Sequence, residues 1–360
     1  MAILTRRDFV KAAGAAATLP ILGSTAKAAD KLKVGFIFLG PIGDYGWTWA
    51  HNKGRLAVET ALGDKVETLY TENVAEDASA VPAIRDLANA GCKLIFTTSY
   101  GYMDQTIQVA GEFPDVKFEH CTGFKRADNV STYNSKFHEG RAVLGTIAGM
   151  MSKSGKLGYL GSYKVPEVVL GVNSFTLAAQ KKNPNATVSL VLIDSWYDPP
   201  KEAAATETMI NLGDDIITTH TDSPGPLQIL EQKGLYGFGQ GADMSQFAPH
   251  AHLTAIEDIW GPYYTERTQA VLDGTWKSTD TWDGFKEGTV HISPYNSAVP
   301  ADVQKAADEI QQGYKDGKFN IFTGPIYAQD GTLKVKDGEV IADADLAVMD
   351  WFVKGVSTAS

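Results

Sequence analysis

The sequence predicts an α/β protein built as two similar lobes, each a parallel sheet covered by helices on both faces, with a cleft between them. Three observations predict this. Short apolar runs that read as buried strands alternate with amphipathic helical stretches from residue 34 to residue 238, the signature of parallel β-α-β units. The alternation occurs twice, each time over about 100 residues, with no low-complexity linker or long charge run between the two. Several strand-like runs also end in aromatic and carboxylate residues, at the carboxyl strand ends where open α/β sheets hold ligands.

The organising stretch is VGFIFLGPIGDYGWTWAHNK, residues 34–53. Residues 34–38 read as a buried strand, and Gly40, Pro41 and Gly43 turn the chain. Asp44, Tyr45, Trp47, Trp49 and His51 follow, leading into a helix over 49–62 with Leu56, Ala57, Ala61 and Leu62 on one side. Next come a strand over 66–70, a helix over 78–90 ended by Gly91, and a strand over 93–98. A helix over 103–113 stops before Pro114, and a strand covers 116–121.

The second run opens on a helix over 138–151, whose Ala142, Gly145, Ala148 and Gly149 permit close packing. Strands over 156–160, 189–193, 215–219 and 235–238 alternate with helices over 168–182, 201–212 and 227–233. The last third makes no third lobe. A strand over 252–256, a helix over 261–272, a turn-rich piece over 282–290 and a helix over 299–312 read as chain crossing back to finish both lobes. The expected division is residues 30–135 with 252–290 in an N-terminal lobe, and 136–251 with 291–360 in a C-terminal lobe. Lobes joined by several crossings close by a hinge around a ligand.

Residues 1–29 read as an address. Arg6 and Arg7 precede an Ala-rich apolar run and an A-x-A site at Ala26-Lys27-Ala28, which together make a twin-arginine export signal. The run is shorter than the roughly 20 residues that span a bilayer. Cleavage is expected after Ala28, and with no cysteine there, no lipid anchor. The expected location is the periplasm, as a soluble protein. A net charge of −11 argues against nucleic acid or an anionic membrane as partner. The only cysteines, Cys92 and Cys121, lie at strand-like runs and read as small buried hydrophobes, although one disulfide fits an exported protein.

No catalytic constellation is legible. Gly40, Gly43 and Gly46 have the wrong spacing for a dinucleotide fingerprint, and Pro41 removes an amide a phosphate would need. No H-E-x-x-H, metal-spaced histidine set or G-x-S-x-G is present. The expectation is a binding protein, not an enzyme, with no cofactor. Trp47 and Trp49, Tyr100 and Tyr102, and Trp196 and Tyr197 each follow a strand, on the rim of an interlobe cleft. Any one of them is as readily a packing residue; their shared placement favours a site for a flat heteroaromatic ring stacked between lobes. Asp44 and Asp198 offer acceptors and Asn173 both kinds of group, though Asp198 before Pro199 equally suits a helix cap.

The chain resembles the BMP (basic membrane protein) family of ABC-transporter substrate-binding proteins, whose members bind purine nucleosides. The resemblance runs over nearly the whole chain after the address. It is carried by residues 34–53, by Phe137-His138-Glu139-Gly140-Arg141 leading to Gly145 and Ala148, by KLGYLG at 156–161, by DSWYDP at 194–199 and by GDDII at 213–217. It implies two Rossmann-like lobes of the type I periplasmic binding protein fold with three crossings. It also implies a permease and an ATPase as partners, and monomeric action. By this resemblance Asp44 reads the base, Trp47 stands where the family stacks a Phe, and Trp196 lies in the segment of the second ring. GQGAD at 239–243 departs from the family's G-V-D-x-D: Gly241 replaces the ribose-holding Asp, while Asp243 matches the second. The departure, with the larger indole rings, favours a free adenine-like base over a nucleoside. The expected ligand set is Asp44, Tyr45, Trp47, Tyr100, Asn173, Trp196 and Asp243. The alternatives are a nucleoside receptor, a sensor subunit, or an exported cofactor-bearing oxidoreductase.

Overall fold

The structure is a computed structural model that describes residues 30–43 and 45–358. The expected export signal and Asp44 lie outside the described residues.

The first run of units is β1 (Leu32–Ile37), α1 (Trp47–Leu62), β2 (Val66–Thr71), α2 (Ala80–Asn89), β3 (Leu94–Thr97), α3 (Met103–Glu112), β4 (Lys117–Cys121) and β5 (Val130–Ser135). The strands pair in parallel in the order 2-1-3-4-5. β1 shows why it is central. Val34, Phe36 and Phe38 pack on one face with Trp47, Val58, Trp260 and Tyr264, and Ile37 packs on the other with Ile84, Leu87 and Val109. This period of two, apolar on both sides, suits a strand buried under two helical layers.

The second run is α4 (Phe137–Met151), β6 (Lys156–Gly161), α5 (Pro166–Lys182), β7 (Thr187–Leu192), α6 (Pro199–Leu212), β8 (Ile216–His220), α7 (Gly225–Lys233), β9 (Tyr236–Gly241) and β10 (His252–Asp258). Its sheet repeats the first order, as β7-β6-β8-β9-β10. The chain returns to the first lobe as α8 (Gly261–Leu272) and β11 (Asp280–Asp283), the latter parallel to β5. It crosses again to β12 (Val290–Ile292), antiparallel to β10, then α9 (Ala301–Lys315), a small hairpin of β13 (Ile326–Tyr327) and β14 (Leu333–Val335), and β15 (Val356–Thr358) beside β7. The three crossings follow Ser135, Asp258 and Asp283, in keeping with the implied type I fold.

The lobe boundary differs from the expected division in one place. His252–Asp258 belongs to the second sheet, because β10 pairs in parallel with β9. The returning segment of the first lobe therefore starts after Asp258, not at residue 252. The stretch read as turn-rich over 282–290 also holds the ends of β11 and β12. Cys92 and Cys121 are buried and unpaired, small hydrophobes in the first lobe's cores.

The small residues of α4 act as read. A Cβ on Gly145 would sit 2.2 Å from the Phe175 carbonyl oxygen of α5, and one on Gly149 2.5 Å from that of Ala179. Gly145→Leu must force these helices apart and is expected to cost about 3 kcal/mol in urea unfolding. Gly111, on the exposed side of α3 with nothing within 4 Å of its added Cβ, is the control; Gly111→Ala is expected to gain about 0.5–1 kcal/mol.

Candidate functional site

The carboxyl ends of both sheets face one cleft, and a narrow slot with only about 20 Å³ of free space lies there. Leu39, Trp47, Ser99, Tyr100 and Thr122 line it from the first lobe. Glu167, Trp196, His220, Asp222 and Gln240 line it from the second. Each follows or ends a strand, except Trp47 and Glu167, which open helices α1 and α5.

The two indoles are held differently. Trp47 is only 9% exposed; its Nε1 donates to the Thr98 carbonyl at 2.6 Å, and its ring meets His51, Phe137 and Trp260 at tilted or edge-on angles. Trp196 is half-buried. Its Nε1 donates across the cleft to Glu76 Oε2 at 3.1 Å, and its ring stands edge-on to Tyr163.

The lobes touch beside Trp47. Gly46 takes φ 80, and a Cβ there would lie 2.7 Å from the Asp222 carbonyl oxygen. The Asp222 side chain accepts from the Trp47 amide, and burial, then the charge of Glu202, push its carboxyl well above the ordinary range. This carboxylate completes the start of α1, where Gly46 offers no side-chain cap.

Beneath the slot runs a buried polar chain. Arg141, fully buried, donates to Thr218 Oγ1 at 2.7 Å, to the Thr219 carbonyl at 2.9 Å and to Gln240 Oε1. That bond leaves the Gln240 amide nitrogen as the available donor. His220 meets Tyr159 OH through Nδ1 at 2.9 Å and Glu167 Oε1 through Nε2 at 3.2 Å. Burial, reinforced by the Arg141 charge, lowers His220 well below its usual range, so the imidazole is neutral at pH 7. Burial pushes Glu167 up to about 7 against the opposing pull of Arg141. The slot thus pairs apolar ring faces with both acceptors and donors, which suits a planar guest with a polar edge.

Of the expected ligand set, the structure brings Trp47, Tyr100 and Trp196 together at this cavity. Tyr45 and Asp243 line a separate open groove beside α1 and α8. Tyr45 stacks on Trp49 at 4.6 Å and meets Phe247 of the second lobe edge-on at 5.2 Å, so it seals the seam between lobes. Asp243 accepts from the Ser245 amide at 2.9 Å, as a turn residue. Asn173 is fully buried in α5; it donates to the Trp351 carbonyl at 2.8 Å and accepts from the Val353 amide at 2.9 Å. Its place in the ligand set is corrected: it fastens the C-terminal segment. Asp198 caps α6 through the Lys201 amide. Sequence reasoning passed over Glu167, His220, Asp222 and Gln240. The available signal was the strand-end rule already applied to the tryptophans, since His220 ends β8, Asp222 follows it and Gln240 lies near the end of β9.

Among the described residues no cluster of His, Cys, Asp and Glu is arranged to hold a metal, and no helix is long and apolar enough to cross a membrane. Two parallel-sheet lobes of one topology, joined by three crossings and meeting around a small polar-floored slot, define a protein of the periplasmic-binding fold class. Solved structures agree in fold. The chain matches an ABC transporter solute-binding protein from Aeropyrum pernix with TM-score 0.70 at 16% identity, covering 80% of this chain and 92% of that one. It matches another from Conexibacter woesei with TM-score 0.65 at 20% identity, covering 80% and 98%.

The chain belongs to the Bmp family, described as ABC transporter substrate-binding protein PnrA-like, which matches residues 31–329. A purine-binding protein of Brucella abortus is 54% identical over 93% of this chain and 96% of its own length. A putative ABC transporter glucose-binding protein of Haloferax volcanii is 29% identical over 86% and 77%. The family is one of substrate-binding proteins rather than enzymes, and an oxidoreductase role finds no support in it. Such proteins deliver small molecules to an ABC permease and as a class work outside the cytoplasm.

The Glu167 carboxyl yields a pH test. At about 7 folded, against an ordinary value of 4.5, it binds more protons folded than unfolded between those values. Stability is therefore expected to fall as pH rises from about 4.5 to about 7, by roughly 1–3 kcal/mol. Glu167→Gln removes this share. Melting temperatures across that range should decline less steeply in the variant than in the parent.

Proposed function

We propose that this chain is the receptor of an ABC importer and binds a free purine base, adenine-like, in the slot between Trp47 and Trp196. The observation that carries this reading is the slot itself: indoles from opposite lobes line it together with Glu167, Asp222 and Gln240, which can accept from and donate to the edge of a purine. The 54% identical relative named as purine-binding supports the ligand class. The relative named as glucose-binding shows why family membership alone does not choose it.

Base is favoured over nucleoside by the packing at Gly241. A Cβ there would lie 2.9 Å from Gly46 C and 3.1 Å from Trp47 N. The position matched to the family's ribose-holding carboxylate is thus filled by backbone from the facing lobe, and Asp243 does not line the slot. In this reading the ligand passes to the permease, the ATPase drives import, and the receptor acts as a monomer exported through its twin-arginine signal.

Calorimetry is expected to show adenine binding at least tenfold more tightly than adenosine, which amounts to about 1.4 kcal/mol. Adenosine binding more tightly would reverse the assignment. Trp196→Ala should weaken adenine by about 1–3 kcal/mol, the worth of one stacked face, with the melting temperature little changed. For export, Arg6→Lys with Arg7→Lys should leave the protein in the cytoplasmic fraction; unchanged export would reject the signal assignment.

A further inference from the structure

Glu76, in the loop between β2 and α2, lines none of the cavities described above, yet its carboxylate spans the cleft. Oε1 stays in its own lobe, accepting from Ser99 Oγ at 2.5 Å and from the Gly101 amide at 2.7 Å. Oε2 accepts from the Trp196 indole of the other lobe at 3.1 Å. The loop after β3 is shaped around this carboxylate: a Cβ on Gly101 would lie 2.5 Å from Glu76 Cβ and 2.7 Å from its carboxyl carbon.

The connection continues beyond Trp196. Its carbonyl accepts from the Asp222 amide at 3.0 Å, and the Asp222 side chain accepts from the Trp47 amide back in the first lobe. We propose that Glu76 is a positioning residue that fixes the Trp196 ring over the slot, and that Glu76, Trp196, Asp222 and the Trp47 amide form a clasp holding the lobes together on both sides of the ligand. This deepens the reading of Trp196 as a stacking face and rests on it. A carboxylate is needed because three donors converge on Glu76, and an amide must turn its NH2 toward at least one of them.

The test reads the clasp with and without ligand. In the ligand-free protein labelled with ¹⁵N-tryptophan, the Trp196 indole proton should exchange slowly with solvent. Glu76→Ala and Glu76→Gln should each speed that exchange and shift the resonance, with the other indoles unmoved. With adenine, Glu76→Ala should raise the dissociation rate constant about tenfold, since losing a hydrogen bond that closes the cleft acts mainly on dissociation. In a Trp196→Phe background, which keeps a ring but lacks the N–H, the same substitution should have little further effect.

An unmoved Trp196 indole, or an equal effect of Glu76→Ala in both backgrounds, overturns the proposal. A shifted indole in a parent protein that binds no purine would reject the ligand assignment and leave the clasp standing.

Discussion

The cleft depends on two backbones touching at Gly46. Gly46 and Gly241 both have positive φ, at 80° and 72°, and each would drive a Cβ into the facing backbone at under 3 Å. A side chain at either position props the lobes apart, and every contact across the slot lengthens with it. The contact has a second consequence. Helix α1 begins at Gly46, which has no side chain to cap it, and the second lobe supplies the carboxyl that accepts from the Trp47 amide. An acceptor oxygen there satisfies an amide that would otherwise be unpaired at the helix start, so approach of the lobes is stabilised at the same point where it is sterically permitted.

The floor carries the opposite kind of energy. Arg141 is buried with no solvent contact near Glu167 and Asp258, and Asp222 lies next to Asp258. Burying one guanidinium is tolerable because Thr218, Thr219 and Gln240 accept hydrogen bonds from its NH2 groups. Three ionised carboxylates around one cation would be much more costly, and burial raises the carboxyls of all three. Asp258 shows the result most plainly. Both its oxygens lack a hydrogen-bond partner, an arrangement that is far less costly for a neutral carboxyl than for an anion. The floor is therefore a set of groups that share few charges. A guest edge meets dipoles and protons there as much as full charges, which favours a neutral heterocycle over a phosphate or a carboxylate.

Much of the fold was legible because its signals are local. The apolar run of β1, Gly91 at a helix end, and the small residues of α4 each state a backbone or packing need that no distant contact can override. The lobe membership of His252–Asp258 was not legible, because a short apolar strand carries no mark of the sheet it will join; that is decided by pairing with β9. The site divides the same way. Trp47, Tyr100 and Trp196, which line the slot, were legible as candidates because large rings at strand ends are conspicuous. Glu167 and Gln240 were not, because their neighbours in space lie on other elements and their chemistry depends on burial that local pattern does not reveal. Asn173 misled for the converse reason. Its polar side chain in an apolar helix looked like a ligand contact, but it satisfies the backbone of a C-terminal segment nearly 180 residues away in the chain.

The two indoles are not equivalent partners. Trp47 is anchored to the Thr98 carbonyl of its own lobe and packs on His51 and Trp260, with Phe137 beside it at the first crossing, so its indole hydrogen bond does not depend on the facing lobe. Trp196 owes its indole hydrogen bond to Glu76 in the facing lobe, and that bond breaks when the cleft opens. On the proposed reading the first-lobe wall is formed before a guest arrives, whereas the second-lobe wall is completed by closure. On the proposed purine reading, a flat molecule that docks on the first lobe keeps its partners through closure and gains the second face only after the lobes meet. Affinity gained in this way appears mainly as slow release, because the contacts formed last must break first.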